Sequence, residues 1–195
     1  ENFLNGHDIE CLLFTEHEVE TSDNVRVSNI EHETWPMPTL KRYNYFLKEK
    51  DFISKFDYCY YLDVDMAIVE KVGYEIFGDL VATRHPSQSF YGPENATYDR
   101  NINSLAYVSS GEGKTYYAGG FNGGKTKNFL EGVIALWHDE SHLNRYLIDN
   151  PPSLELDPSY CYPEAALASP NSWIVSQYYK PKILALDKNH NEIRY

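Results

Sequence analysis

Apolar residues crowd into two short runs near the start of the chain, DIECLLF (8–14) and VRVSNI (25–30), and each predicts a β-strand bounded by polar, turn-forming residues. The period then changes. In TLKRYNYFLKEKDFISKF, Leu40, Tyr43, Phe46 and Leu47 recur at three- and four-residue spacing, which predicts a helix starting at Thr39, just after Pro38. DYCYYL returns to β-formers and leads into LDVD, and MAIVE and DLVATRH (79–85) predict two further strands. From 86 to 114 periodicity fades and Pro86, Gly92, Pro93, Gly111 and Gly113 interrupt the chain, so a long surface excursion is expected, a kind of segment that often carries function. TYYAGGFNGG (115–124) brings a strand to a glycine-rich stop, and KTKNFLEGVI predicts a helix. WHDESHLNRYLIDNPP predicts another, with Leu143, Tyr146 and Leu147 on its buried stripe and two prolines closing it. Strands alternating with helices indicate an α/β sandwich around a largely parallel sheet.

Length and composition narrow the class. At 195 residues and 42% hydrophobic content, the chain is read as a single domain, 1–195, with one core. No apolar run reaches membrane-spanning length and the opening ENFLNGHDIE lacks a signal peptide's basic and apolar parts, so a cytoplasmic or otherwise soluble segment is expected. Cys11, Cys59 and Cys161 are odd in number and widely spaced, which favours buried free thiols over a disulfide framework. A formal charge of −12 argues against nucleic acid as a partner. It permits an anionic small molecule if the few cations and a metal converge. The 17 tyrosines and 3 tryptophans suit either sugar stacking or ordinary core packing.

Three stretches carry candidate chemistry. Asp63 and Asp65 flank Val64 at the end of an apolar run; on a strand they project together while Val64 points inward, and two hard oxygen ligands at one spot suit Mn²⁺ or Mg²⁺. Strand carboxyl ends are where ligands gather in open α/β sheets. A solvated acidic turn is the plain alternative. Glu140 precedes Leu143 by three residues and heads the inward stripe of its helix, where the helix dipole favours an acid with or without chemistry. His138 and His142 have the spacing of a helical zinc site, but the hydrolase pattern places Glu directly after the first His and this chain has Asp139. Glycines 119, 120, 123 and 124 lack the G-x-G-x-x-G spacing and are read as leaving room beside a ligand.

YYLDVDM, HPSQSFYG, the run from YDRNINS to GGFNGG, WHDESHLNRYL and DKNHNEIR together resemble the retaining glycosyltransferase family of the blood-group A and B transferases and the α1,3-galactosyltransferase, from about Trp35 onward. The resemblance implies a GT-A type fold with a Rossmann-like, mostly parallel central sheet flanked by helices. It implies transfer of GalNAc or Gal from a UDP-sugar to the 3-OH of a galactose-terminated, β-galactoside acceptor, with Mn²⁺ or Mg²⁺ as cofactor. Asp63 and Asp65 stand at the family's D-x-D metal motif. Trp35, Arg42, Lys188 and Arg194 match donor-binding positions, as do Ala118, Gly119, Gly120 and Asp139. His85, Thr97 and Trp137 match the positions that hold the acceptor galactose, and Glu140 matches the catalytic carboxylate. The paired glycines favour UDP-GalNAc over UDP-Gal. The family's first strand, with its uracil contacts, has no counterpart before Glu1, and the stretch between GGK and WHDES, near 131–133, is shorter than in the family. A module on this fold that binds glycan without turnover is the alternative reading.

Overall fold

The computed structural model describes residues 2–34, 36–92, 94–135 and 140–188. Strands β1 (Cys11–Thr15) and β2 (Val25–Asn29) pair in parallel, Cys11 opposite Val25. Helix α1 (Met37–Lys48) and the single turn α2 (Lys50–Ile53) follow. Proline in the first turn of α1 costs no hydrogen bond, which lets the helix begin ahead of Thr39. The predicted stripe holds at Tyr43 and Phe46. Leu47, however, is exposed and Tyr45 is buried in its stead, because the helix turns Tyr45 onto Phe14 of β1 in a stack with ring centroids 6.0 Å apart.

The chain continues through β3 (Tyr58–Leu62), β4 (Met66–Ile68), β5 (Leu80–Arg84) and β6 (Tyr117–Lys125), then α3 (Thr126–Ala135) and α4 (Glu140–Asp149). β7 (Leu154–Leu156), β8 (Tyr162–Pro163), the short α5 (Ala165–Ala168) and β9 (Ile183–Ala185) complete it. The central sheet has the order β3-β6-β5-β7. It is not the mostly parallel sheet expected: β6 runs antiparallel to both β3 and β5, and only β5 and β7 are parallel. The reason lies between β5 and β6, where the chain makes no crossover helix and re-enters the sheet from the end it left. Helices and strands do alternate in sequence, but the helices come in pairs before β3 and before β7. The architecture is therefore mixed α/β.

One face of the sheet is covered by α1, α3 and α4, through Tyr43, Phe46, Phe129, Val133, Leu143 and Leu147. The opposite face packs Val81, Phe121 and Leu156 against Val72, Ile76 and Ile183. A smaller sheet, β4-β9-β8, adjoins that second core, with β9 antiparallel to β4 and parallel to β8. The excursion of 86–114 is less superficial than its composition suggests. It folds over a cluster of its own, in which Val108 is 0% exposed and Tyr98 meets Tyr116 edge-on at 5.0 Å, with Ile148 of α4 packed against it. The three cysteines are free, but of the expected buried thiols only Cys161 is fully so: Cys59 is half-buried and Cys11 lies exposed on β1. No helix among the described residues is long and apolar enough to cross a membrane.

Candidate active site

The site is built on an irregularity in β6. Ala82 and Thr83 of β5 are neighbours, yet they face Asn122 and Ala118 of β6, so Gly119, Gly120 and Phe121 form a bulge in the ladder. Bulging frees backbone groups that a regular ladder would consume. The Gly119 N–H donates to Glu140 Oε2 at 2.7 Å, the Gly119 carbonyl accepts from Asn122 Nδ2 at 3.1 Å, and the Gly120 carbonyl accepts from the Asp63 N–H at 3.0 Å. A Cβ on Gly119 would lie 3.4 Å from Glu140 Oε2 and 3.7 Å from Arg42 Nη1. One on Gly120 would lie 3.1 Å from Met66 Sδ, 3.3 Å from Asp63 Oδ2 and 3.6 Å from Cys161 Sγ. The glycine pair thus forms a floor with Glu140 and Arg42 over one residue and Asp63 over the next. Ala118 beside them is buried in the sheet.

Arg42, from α1, packs its guanidinium over the Tyr61 ring, 4.9 Å from its centroid, with Nη1 3.7 Å from Asp63 Oδ1. The Tyr61 hydroxyl donates to that same carboxylate oxygen. Burial, and then the charge of Asp63, push the Tyr61 phenol well above its ordinary value, so it stays a proton donor. Burial, then the charges of Glu140 and Asp63, likewise push the Cys161 thiol up to about 12. A neutral, buried thiol therefore lies within the field of both carboxylates.

The two acids of the D-x-D do not lie on a strand. β3 ends at Leu62, Asp63–Asp65 make a turn, and Val64 at its tip is 91% exposed rather than pointing inward. Side-chain alternation therefore does not hold past Leu62; the two acids sit on one tight turn, in which the Met66 N–H donates to the Asp63 carbonyl at 3.2 Å. Asp65 Oδ2 receives Lys188 Nζ at 2.5 Å, and its carbonyl accepts from the Leu186 N–H at 2.9 Å, so the β4–β9 ladder delivers the tail to this turn. Each acid has drawn a cationic side chain, and no group of three or more His, Cys, Asp or Glu among the described residues makes an all-protein metal cage. Two hard carboxylates with incomplete coordination fit Mn²⁺ or Mg²⁺, ions that fill their shells with water and substrate phosphates.

Of the positions expected to hold the acceptor, His85 follows β5 directly, and its ring lies 5.7 Å from that of Tyr116, which in turn meets Tyr98 beside the exposed Thr97. Backbone N–H groups of Ser87 and Gln88 donate to His85 Nδ1 at 3.2 and 3.1 Å. Burial holds the ring's pKa down to about 4. His85 is thus a neutral imidazole whose proton sits on Nε2, a hydrogen-bond donor. Trp35, Trp137, Asp139 and Arg194, and with them His138 of the zinc alternative, lie outside the described residues.

The fold brings Arg42, Asp63, Gly119, Gly120 and Glu140 together, with Asp65 in the adjoining turn and Lys188 paired to it from the segment after β9. Residue reading passed over Tyr61, Met66 and Cys161. Tyr61 was legible as the residue two positions before Asp63, whereas Cys161 comes from a distant segment and carried no local signal. The string 119–126 also satisfies the P-loop pattern G-x-x-x-x-G-K-T. Phe121–Lys125 are paired along β3, leaving no loop of free N–H groups to cradle phosphate, so the match is incidental.

A family model described as glycosyltransferase family 6 matches residues 18–195. The chain is 37% identical to histo-blood group ABO system transferase 1 of Rattus norvegicus, over 75% of this chain and 45% of that protein. It is 30% identical to histo-blood group ABO system transferase 2 of the same species, over 100% of this chain and 64% of that protein. To the O-antigen biosynthesis glycosyltransferase WbnI of Escherichia coli it is 33% identical, over 72% of this chain and 67% of that protein. The chain spans about half to two thirds of the length of the curated relatives it matches.

Proposed function

The chain belongs to glycosyltransferase family 6, and from that premise we propose that it transfers GalNAc or Gal from a UDP-sugar to the 3-OH of a galactose-terminated acceptor, forming an α1,3 bond with retention. The observation that carries this reading is the placement of Glu140 and Asp63 above consecutive glycines of one strand bulge. Breaking a sugar–phosphate bond builds negative charge on the departing nucleotide and positive charge on the sugar carbon, so the two ends need opposite partners.

Glu140 serves the sugar end. Its hydrogen bond from Gly119 N–H anchors the carboxylate beside the glycine floor, where the proposal sets it against the anomeric carbon. Asp63 and Asp65 would hold Mn²⁺ or Mg²⁺, which supplies Lewis-acid stabilisation to the diphosphate. Arg42 steadies Asp63 and adds positive charge beside it, and Lys188, which follows β9 and pairs with Asp65, would be available to the phosphates when a metal takes the carboxylate. His85 offers Nε2–H to an acceptor hydroxyl in every protonation regime above about 4. Without a side chain at 119 and 120 the floor has room for a substituent on C2 of the donor, which favours UDP-GalNAc. Trp137, Asp139 and Arg194 complete the proposal as acceptor, sugar and phosphate contacts.

The test is UDP release with UDP-GalNAc or UDP-Gal, a β-galactoside with and without 2′-fucose, and Mn²⁺. Activity should vanish with EDTA, and Glu140→Gln should lower kcat on the order of 10²- to 10⁴-fold. Saccharide binding without UDP release would replace this reading with that of a glycan-binding module. A higher kcat/KM for UDP-Gal would overturn the donor preference alone.

A further inference from the structure

We propose that Asn144 is a positioning residue that sets the register of α4 against β6 and thereby places the Glu140 carboxylate. β3 pairs with β6 only as far as Leu62 opposite Phe121, so toward its start β6 has no strand on that side. Tyr117 would there present an unpaired N–H and C=O inside the protein, which buried backbone rarely tolerates. Asn144, only 1% exposed, fills the gap: its Oδ1 accepts from Tyr117 N–H at 2.8 Å and its Nδ2 donates to Tyr117 C=O at 2.9 Å. An amide side chain offers the same donor and acceptor pair as a peptide, and here it stands in for the missing strand.

The second Nδ2 proton is given to the Glu140 carbonyl at 2.9 Å, one helical turn earlier. Two contacts therefore link the elements, Tyr117 to Asn144 and Gly119 to Glu140. Their spacings agree. Two residues of strand advance about 6.6 Å and four residues of helix about 6 Å, so fixing one contact fixes the other. Leu143 and Leu147 bury α4 but impose no such register, because apolar packing is non-directional. Asn is required rather than Asp, since a carboxylate accepts from Tyr117 N–H but donates to neither carbonyl.

This inference rests on the glycosyl-transfer reading for its kinetic consequence, but its structural part is testable alone. Asn144→Ala and Asn144→Asp are compared with Leu147→Ala, a buried truncation on the same helix, at a temperature where all are folded. Both Asn144 variants should lose about 100-fold in kcat with the KM for UDP-sugar within about threefold, as expected of a small misplacement of a reacting group. Leu147→Ala should keep kcat within about threefold even if its melting temperature falls as far. In a Glu140→Gln background, Asn144→Ala should cost almost nothing more, because its effect runs through that carboxylate. Equal kcat losses for Asn144→Ala and Leu147→Ala, or additive losses with Glu140→Gln, would overturn the proposal. If Asn144→Ala does not fold, Asn144→Asp and Asn144→Ser take its place in the same comparison. Should the wild type release no UDP at all, the transfer reading fails while amide exchange still decides the geometry. Exchange at Gly119 should rise at least tenfold more in the Asn144 variants than in Leu147→Ala, and an equal rise in both would reject the register lock.

Discussion

The two glycine pairs of β6 look alike in sequence and do different work. Around Gly119 and Gly120 an added Cβ would meet side chains: the carboxylates of Glu140 and Asp63, the Arg42 guanidinium and two sulfur atoms, none closer than 3.1 Å. Around Gly123 and Gly124 it would meet backbone, 2.4 Å from the Cys59 carbonyl oxygen and 2.6 Å from that of Asp79, and Gly124 has a φ of +130° as well. The first pair opens onto charged and sulfur-bearing side chains. The second is glycine because the neighbouring strands leave no space. A side chain at the first pair is thus a question about function, and at the second a question about folding.

The largest expected effect follows from the second pair. Gly123→Ala should cost about 3 kcal/mol or more, since rigid backbone cannot yield to the added methyl, and urea unfolding would measure it; a loss under about 1 kcal/mol would show that the two pairs are not distinct. Gly120→Ala should cost about 1 kcal/mol or less, because the flexible Met66 side chain can shift, while the ratio of kcat/KM for UDP-GalNAc over UDP-Gal should fall about tenfold. Unchanged donor choice would leave the first pair without its assigned role.

Smaller effects come from the walls of the floor. Between pH 7 and 5 the KM for acceptor should show no inflection near 6.5, because His85, at about 4, remains neutral throughout. An inflection there would place the ring in solvent. On the outer side of α4, Arg145 Nη1 meets Glu112 Oε1 at 2.8 Å, and backbone and side-chain bonds from Ser109 with this arginine hold the Glu112 carboxyl down at about 2. A depressed carboxyl stabilises the fold fully above its ordinary 4.5 and loses that contribution as pH falls toward about 2. The Glu112→Gln variant should accordingly lose less stability than the wild type over that window, in thermal melts at successive pH values.

How far the sequence revealed this follows the range of each interaction. α1, α3 and α4, and the strands at 11–15, 25–29 and 58–62, were legible because their apolar spacing is local. Strand direction was not, since it depends on whether a connection crosses over, and the excursion of 86–114 has no periodic signal to say so. At the site, Asp63, Arg42, the glycines and Glu140 were found through motifs. The bulge that unites them was invisible, because it exists only as a mismatch between Ala82–Thr83 and 118–122 of another strand. Tyr45 displaced Leu47 from the core for a similar reason, namely a partner 31 positions earlier at Phe14.

β6 is also an interior strand of the central sheet, and Phe121, at the end of its bulge, has no exposed surface. The floor of the site and the centre of the hydrophobic interior are consequently one continuous object. A substitution that disturbs the floor must then also disturb the interior, so the same contacts that hold the fold together hold the shape of the site.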